Sequence, residues 1–239
     1  MKLRIILLVT IAVLSSACNT MRSGKAEICR TAYVAQVPAE NEAAVRAQCL
    51  NLEVSGAIER RGCYLREIDS RLYLFQYLEK NSPSDLVNFQ GLEKLVKPLP
   101  VATGNGRAFE SMERIFYEPG TADKTPEGDV KRIAMFTELK RDKEAHYRLL
   151  HANPWPDVIA AIKKANFRHF SIFLEEINGK VYLFGWLEYV GNDISADDAI
   201  NKQNPASIRW WKETDACQIA PDDAGGGMWG GMKELFFAE

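Results

Sequence analysis

The chemistry-bearing residues of this chain crowd into its second half. All three histidines (His146, His151, His169) and all five tryptophans (Trp155, Trp186, Trp210, Trp211, Trp229) lie there. Imidazole moves protons near neutral pH, and indole faces grip sugars. His151 has the most informative neighbours. Tyr147 precedes it by four residues, which places both side chains on one face of a helix. Pro154 and Pro156 interrupt that helix just beyond, leaving unpaired carbonyls near His151. A helix C-terminus favours the imidazolium form, which suits a general acid. A surface histidine capping a broken helix is the alternative. His146 is expected to face solvent, and His169 lies at a strand start where either role is open. Trp210 and Trp211 are adjacent, and neighbours on a helix point about 100° apart, so one core stripe does not absorb both. Trp186, in mid-strand, reads as core. Gly225–Gly231 lacks a phosphate-loop pattern and reads as a flexible loop, with Asp222 and Asp223 as a solvated acid pair beside it.

Composition narrows the classes. At 46% hydrophobic and 26% charged, the 239 residues are too apolar for a disordered chain. Thirty basic against 32 acidic residues leave no excess of cations to displace counterions, so nucleic acid is not an expected partner. Three histidines without a CxxC or HExxH pattern leave no dedicated zinc site, and neither a metal nor another cofactor is expected.

The elements that position these residues form two repeats. Leu65–Glu79 (LREIDSRLYLFQYLE) matches Leu174–Glu188 (LEEINGKVYLFGWLE), and Met112–Tyr117 matches Met232–Phe237, in the same order in each half. Residues 28–118 form one repeat and 130–239 the other, with 119–129 as linker. Each half is expected to run strand, helix, strand, strand, helix, strand. In the second half the strands fall at 132–139, 170–177, 181–190 and 228–237, and the helical stretches at 142–166 and 196–212. Asn178-Gly179 is a type I′ hairpin signal, with Asp69-Ser70 in the equivalent place. The strand 181–190 is apolar on both faces, so something besides helices must cover its sheet. The other repeat is the obvious cover. The fold class is therefore α+β, with tandem ferredoxin-like βαββαβ repeats forming an intramolecular dimeric α/β barrel, a monomer that is its own pseudo-dimer.

The N-terminus reads as a targeting segment. Lys2 and Arg4 precede an apolar run of ten residues, Ile5–Leu14, half the length a membrane span needs. Ser15-Ser16-Ala17-Cys18 then resembles a bacterial lipobox, with Ser15 where leucine is usual. Residues 1–17 form the expected signal peptide, Cys18 the lipidation site and 18–27 a tether. The chain is expected to be an exported, membrane-anchored lipoprotein facing the periplasm; plain cleavage after Ala17 is the alternative. Cys29, Cys49, Cys63 and Cys217 do not space like a disulfide framework, and which pair oxidises after export is left open.

His151-Ala-Asn-Pro-Trp-Pro-Asp157, Arg209-Trp-Trp-Lys212 and a closing Phe-rich strand resemble the L-rhamnose mutarotase family over residues 131–237. The resemblance implies metal-free interconversion of the anomers of a deoxy sugar on an α+β barrel. It implies that His151 is the general acid and that Tyr147, Trp210 and Trp211 contact the sugar. Phe170 falls where the family has a sugar-contacting tyrosine. In the first half, Ala43 and Ala47 are expected at the positions of Tyr147 and His151, and no Trp pair follows, so that half reads as a degenerate copy serving as second subunit. The two functions in view are a sugar mutarotase and a non-catalytic sugar- or partner-binding lipoprotein on the same barrel. Fold analogy alone adds another α+β barrel chemistry, such as a small monooxygenase.

Overall fold

The computed structural model describes residues 28–54, 56–99, 107–122, 126 and 129–239. Residues 1–17, read as a signal peptide, Cys18, the expected tether to residue 27 and part of the 119–129 linker lie outside them.

The first repeat contains β1 (Cys29–Val37), α1 (Glu42–Leu50), β2 (Ile58–Ile68), β3 (Arg71–Lys80), β4 (Glu110–Ser111) and β5 (Glu113–Gly120). The second contains β6 (Lys131–Leu139), α2 (Glu144–Ala152), α3 (Pro156–Lys164), β7 (Phe167–Ile177), β8 (Lys180–Tyr189), α4 (Ile194–Lys202), α5 (Pro205–Asp215), β9 (Gln218–Ile219), β10 (Gly230–Gly231) and β11 (Lys233–Ala238). Both expected helical stretches of the second repeat are helix pairs. Pro154 pushes Asn153 to φ −135°, ψ 63°, which ends α2, and Pro156 opens α3 at a position where no N–H is needed. The second break follows the same logic: Pro205 opens α5, and Asn204 caps it by accepting from the N–H groups of Ala206 and Ser207. The second helix expected in the first repeat is absent among the described residues. A loop with one short 3₁₀ turn, Leu92–Lys94, takes its place.

The sheets run β11-β2-β3-β1-β4 and β10-β6-β8-β7-β5. The sheet-on-sheet packing expected from the duplication is therefore present, with one difference. The last strand of each repeat does not stay home. At Met112 and Met232 the chain turns from one sheet into the other, and the backbone N–H of each donates to the equivalent carbonyl, Ala32 at 3.0 Å and Ala134 at 2.9 Å. β4 pairs with its own β1 while β5 pairs with β7; β10 pairs with its own β6 while β11 pairs with β2. These two straddling strands close the sheets into a barrel within one chain, leaving few open edges.

The barrel interior is aromatic and keeps the symmetry of the duplication. Phe75 stacks on its counterpart Phe184 at 5.5 Å, and Tyr77 on its counterpart Trp186 at 3.8 Å and 11°. Trp186 is core, as its mid-strand place implied, and its indole donates to the Tyr64 hydroxyl. One end is sealed by ions. Glu79 accepts from Arg30, Glu188 accepts from Arg168, and Arg60 reaches both carboxylates. At the other end the hairpin tips meet, Lys180 with Asp69 and Arg71 with Asn178. Both tips adopt the expected positive φ, at Asp69 and Ser70 and at Asn178 and Gly179.

Candidate active site

A cavity of 410 Å³ lies between the outer face of the second sheet and helices α2 and α5. All five side chains that the sequence nominated line it: Tyr147 and His151 from α2, Phe170 from β7, and Trp210 and Trp211 from α5. The helix periodicity explains the first pair. Tyr147 and His151 are the buried residues of α2, and their rings stack at 4.1 Å. Trp210 is buried and Trp211 half-buried, so the adjacent indoles do divide their burial as expected. Phe170 owes its place to a bulge: β7 slips register against β8 between Arg168 and Ser171, and His169 takes φ 56°. His169 thereby leaves the cavity, and its Nδ1 meets the Tyr117 hydroxyl at 3.2 Å and Arg30 at 3.4 Å. His146 faces solvent as expected, 3.5 Å from Glu213.

His151 is 7% exposed and held on three sides by rings, with Trp210 and Phe116 edge-on, each at 5.3 Å. Its Nδ1 lies 3.0 Å from the Tyr147 carbonyl oxygen. A carbonyl only accepts, so the proton sits on Nδ1 and the lone pair on Nε2. Burial pulls the imidazole pKa down to about 4, outweighing the hydrogen bond to the Tyr147 backbone that favours the charged form. The imidazolium expected from the helix terminus is thus corrected: in this dry aromatic setting the ring is neutral at pH 7, a proton acceptor. Burial also pushes the Tyr147 phenol far up, so it keeps its proton.

Several residues of the cavity, and one ring packed behind it, escaped sequence reasoning. Phe116 belongs to the first repeat and arrives on the exchanged strand β5, meeting Phe170 edge-on at 5.5 Å. Only the Met112–Tyr117 match hinted at it. Met228 and Trp229 come from the Gly-rich loop. That loop is braced rather than free, because Asp223 makes a two-pronged bond to Arg66 of the first repeat, at 2.6 and 2.8 Å. Asp223 is exposed, as expected of a solvated loop acid, and it also anchors the loop to Arg66. Asp215 lines the cavity with its carboxyl pKa raised by burial. Gln218 presents a buried Nε2 without a partner among the described residues, and Lys202 pairs with Asp198 at 2.6 Å on the rim. Trp155 stays behind Trp210 and supports it edge-on at 5.4 Å. Among the described residues, no group of three or more His, Cys, Asp or Glu converges as metal ligands would.

Among the described residues, the equivalent place in the first repeat is packed with side chains. β1 and β6 have equal lengths, as do the turns after them and helices α1 and α2, so the counterparts of Tyr147 and His151 are Val45 and Cys49. The expected counterparts, Ala43 and Ala47, are off by two residues, because a 3₁₀ turn at Ala39–Asn41 precedes α1 and sets its register. Val45 and Cys49 are the buried residues of α1, packed with Leu92, Val96 and Phe109 of the loop that replaces a helix.

The family model for L-rhamnose mutarotase matches residues 132–238. The L-rhamnose mutarotase of Bacillus subtilis is 33% identical over 85 residues, covering 35% of this chain and 75% of that protein. That of Yersinia pestis is 28% identical over 111 residues, covering 45% of this chain and 98% of that protein. The solved structure of an anthrone oxidase-like protein covers 90% of this chain and 93% of its own at 9% identity, with a TM-score of 0.45. The family match and the cavity fall in the same repeat, and through that repeat the chain belongs to the L-rhamnose mutarotase family.

Proposed function

We propose that the cavity interconverts the anomers of a deoxyhexose such as L-rhamnose by acid–base opening and reclosure of the ring. The observation that carries this reading is the Nδ1 bond of His151 to its own helix, which leaves Nε2 as a free base in an aromatic cavity. Nε2 takes the proton of the anomeric hydroxyl as the bond between C1 and the ring oxygen breaks. A second donor protonates the ring oxygen. Rotation about the C1–C2 bond turns the aldehyde, and reclosure runs the two transfers backwards. His151 is then base on opening and acid on closing, so the general-acid role implied by the family covers half of the cycle. Trp210 and Trp211 offer faces to the apolar side of the sugar, and Tyr147 a neutral hydroxyl.

Saturation-transfer NMR on a panel of hexoses tests the reading. His151→Ala should lower enzymatic exchange by about 10²–10⁴, and wild-type exchange in that variant would overturn the assignment. One observation favours a second reading. Phe170 lacks the hydroxyl of the family's tyrosine, so a sugar-binding protein without turnover would show saturation on binding and no exchange on any hexose.

We further infer that the protein is exported, tethered by a lipid on Cys18, and monomeric because one chain supplies both halves of the barrel. An unmodified Cys18 in the mature protein, read by mass spectrometry, would refute the anchor, and a sedimenting dimer would refute the monomer.

A further inference from the structure

The first repeat's counterpart of the candidate cavity has been refilled with polar groups. The register pair Cys63 and Gln76 on β2 and β3 corresponds to Ile172 and Gly185 on β7 and β8. Two residues before Cys63, Arg61 stands where Phe170 stands. Gly185 leaves no room for a side chain, since a Cβ there would come within 2.8 Å of Met135. A phenyl ring and a bare hydrogen have thus become a guanidinium and an amide. Arg61 and Gln76 lie diagonally across adjacent strands on the sheet face beneath α1, within reach of long side chains.

Both residues are 0% exposed, on a face whose Cys63, Leu65 and Leu74 belong to an apolar cluster. Arg61 donates one bond, from Nη2 to the Asn88 carbonyl at 2.7 Å, which pins the loop after β3 to the sheet. Its Nε and Nη1, and both amide atoms of Gln76, have no hydrogen-bond partner. Four of the seven buried unpartnered side-chain atoms among the described residues sit at these two positions, so the shortfall is local. Water can satisfy idle donors, but it brings no charge. Arginine keeps its proton in proteins, and the one bond Arg61 makes goes to a neutral carbonyl. Burial is the largest influence on its pKa and pulls it down. A dry cation is costly unless an anion faces it.

We propose that the first repeat binds a small monovalent anion, of halide size, between Arg61 and Gln76, in the place that corresponds to the candidate cavity of the second repeat. One guanidinium calls for one negative charge. The packed surroundings and the full burial of both side chains limit the occupant to about one heavy atom. The anion accepts from an idle N–H of Arg61 and from Nε2 of Gln76. It neutralises the cation that pins the loop, an ionic support under the half of the barrel that lacks a second helix. The proposal is independent of any sugar chemistry.

The test uses the full chain in sodium gluconate, exchanged stepwise for sodium chloride or bromide at constant ionic strength. The melting temperature should rise saturably with either halide, by about 5–10 °C at a hundredfold excess over Kd. Gln76→Leu should need roughly tenfold more halide for the same rise. Arg61→Met puts an apolar chain in place of a buried cation, so it should fold and melt at one temperature in gluconate and in halide. Wild-type crystals grown in bromide should show an anomalous peak in contact with Arg61 and the Gln76 amide, a readout that does not depend on either variant folding. A halide-independent melting temperature in the wild type, an undiminished halide response in Arg61→Met, or water in place of the anomalous peak would each overturn the site.

Discussion

Acidification should strike the candidate site through one ring, and the cost is calculable. His151 has an ordinary imidazole value of 6.5 when exposed and about 4 in its cavity. A depressed folded-state pKa means that the unfolded chain binds a proton the folded one refuses. The neutral ring's stability is whole above pH 6.5 and is lost as pH falls through 4. The loss should reach about 2 kcal/mol by pH 5 and about 3 kcal/mol by pH 4. His169 confuses a simple titration, because burial and then Arg30 pull it down to about 4 as well. His151→Gln separates the two, since an amide donates to the Tyr147 carbonyl without titrating. Urea unfolding of both proteins from pH 7 to pH 4 should show the wild type losing about 3 kcal/mol more than the variant. Exchange should be flat from pH 8 to about 5, halve near pH 4 and fall about tenfold per unit below. Parallel stability curves for the two proteins, or a rate that halves near pH 6.5, would refute the neutral, buried base.

Phe170→Tyr returns a hydroxyl to the bulge and should raise the exchange rate on 6-deoxy sugars; a rate below wild type would mean that this chain is tuned to the bare ring. Trp210→Ala removes the partner of both His151 and Trp155, so it should weaken sugar binding and cost on the order of 3 kcal/mol in urea unfolding. Arg60→Ala strips a shared cation from Glu79 and Glu188 far from the cavity; it should cost on the order of 3 kcal/mol while exchange per folded molecule stays unchanged.

Local signals in the sequence account for several features of the fold and the cavity. The two hairpins follow from Asp69-Ser70 and Asn178-Gly179, the sharing of α2 by Tyr147 and His151 from their spacing, and the divided burial of the Trp pair from helix geometry. What was missed depends on partners distant in the chain. No residue of β5 or β11 announces which sheet it will join, so Phe116 could not be placed against His151 and Phe170. The charge of His151 was misjudged because a helix end is visible in sequence and the surrounding indole and phenyl rings are not. In the first repeat, the duplication suggested a second helix, but Gly91 and Pro98 confine the segment between them to a single short turn.

The exchanged strands also decide when this protein becomes foldable. β2 waits for β11, whose residues 233–238 are translated more than 160 positions after it, and β5 waits for β7 across the linker. Neither half can bury its own sheet edge during synthesis, so a nascent chain carries an unpaired β2 edge until residues 233–238 emerge. Such late, non-local pairing slows folding and prolongs the interval in which edges find the wrong neighbour. A chain cut before Lys233 would keep every lining residue of the cavity and still leave the first repeat's sheet unfinished, which makes the integrity of one repeat hostage to the last strand of the other.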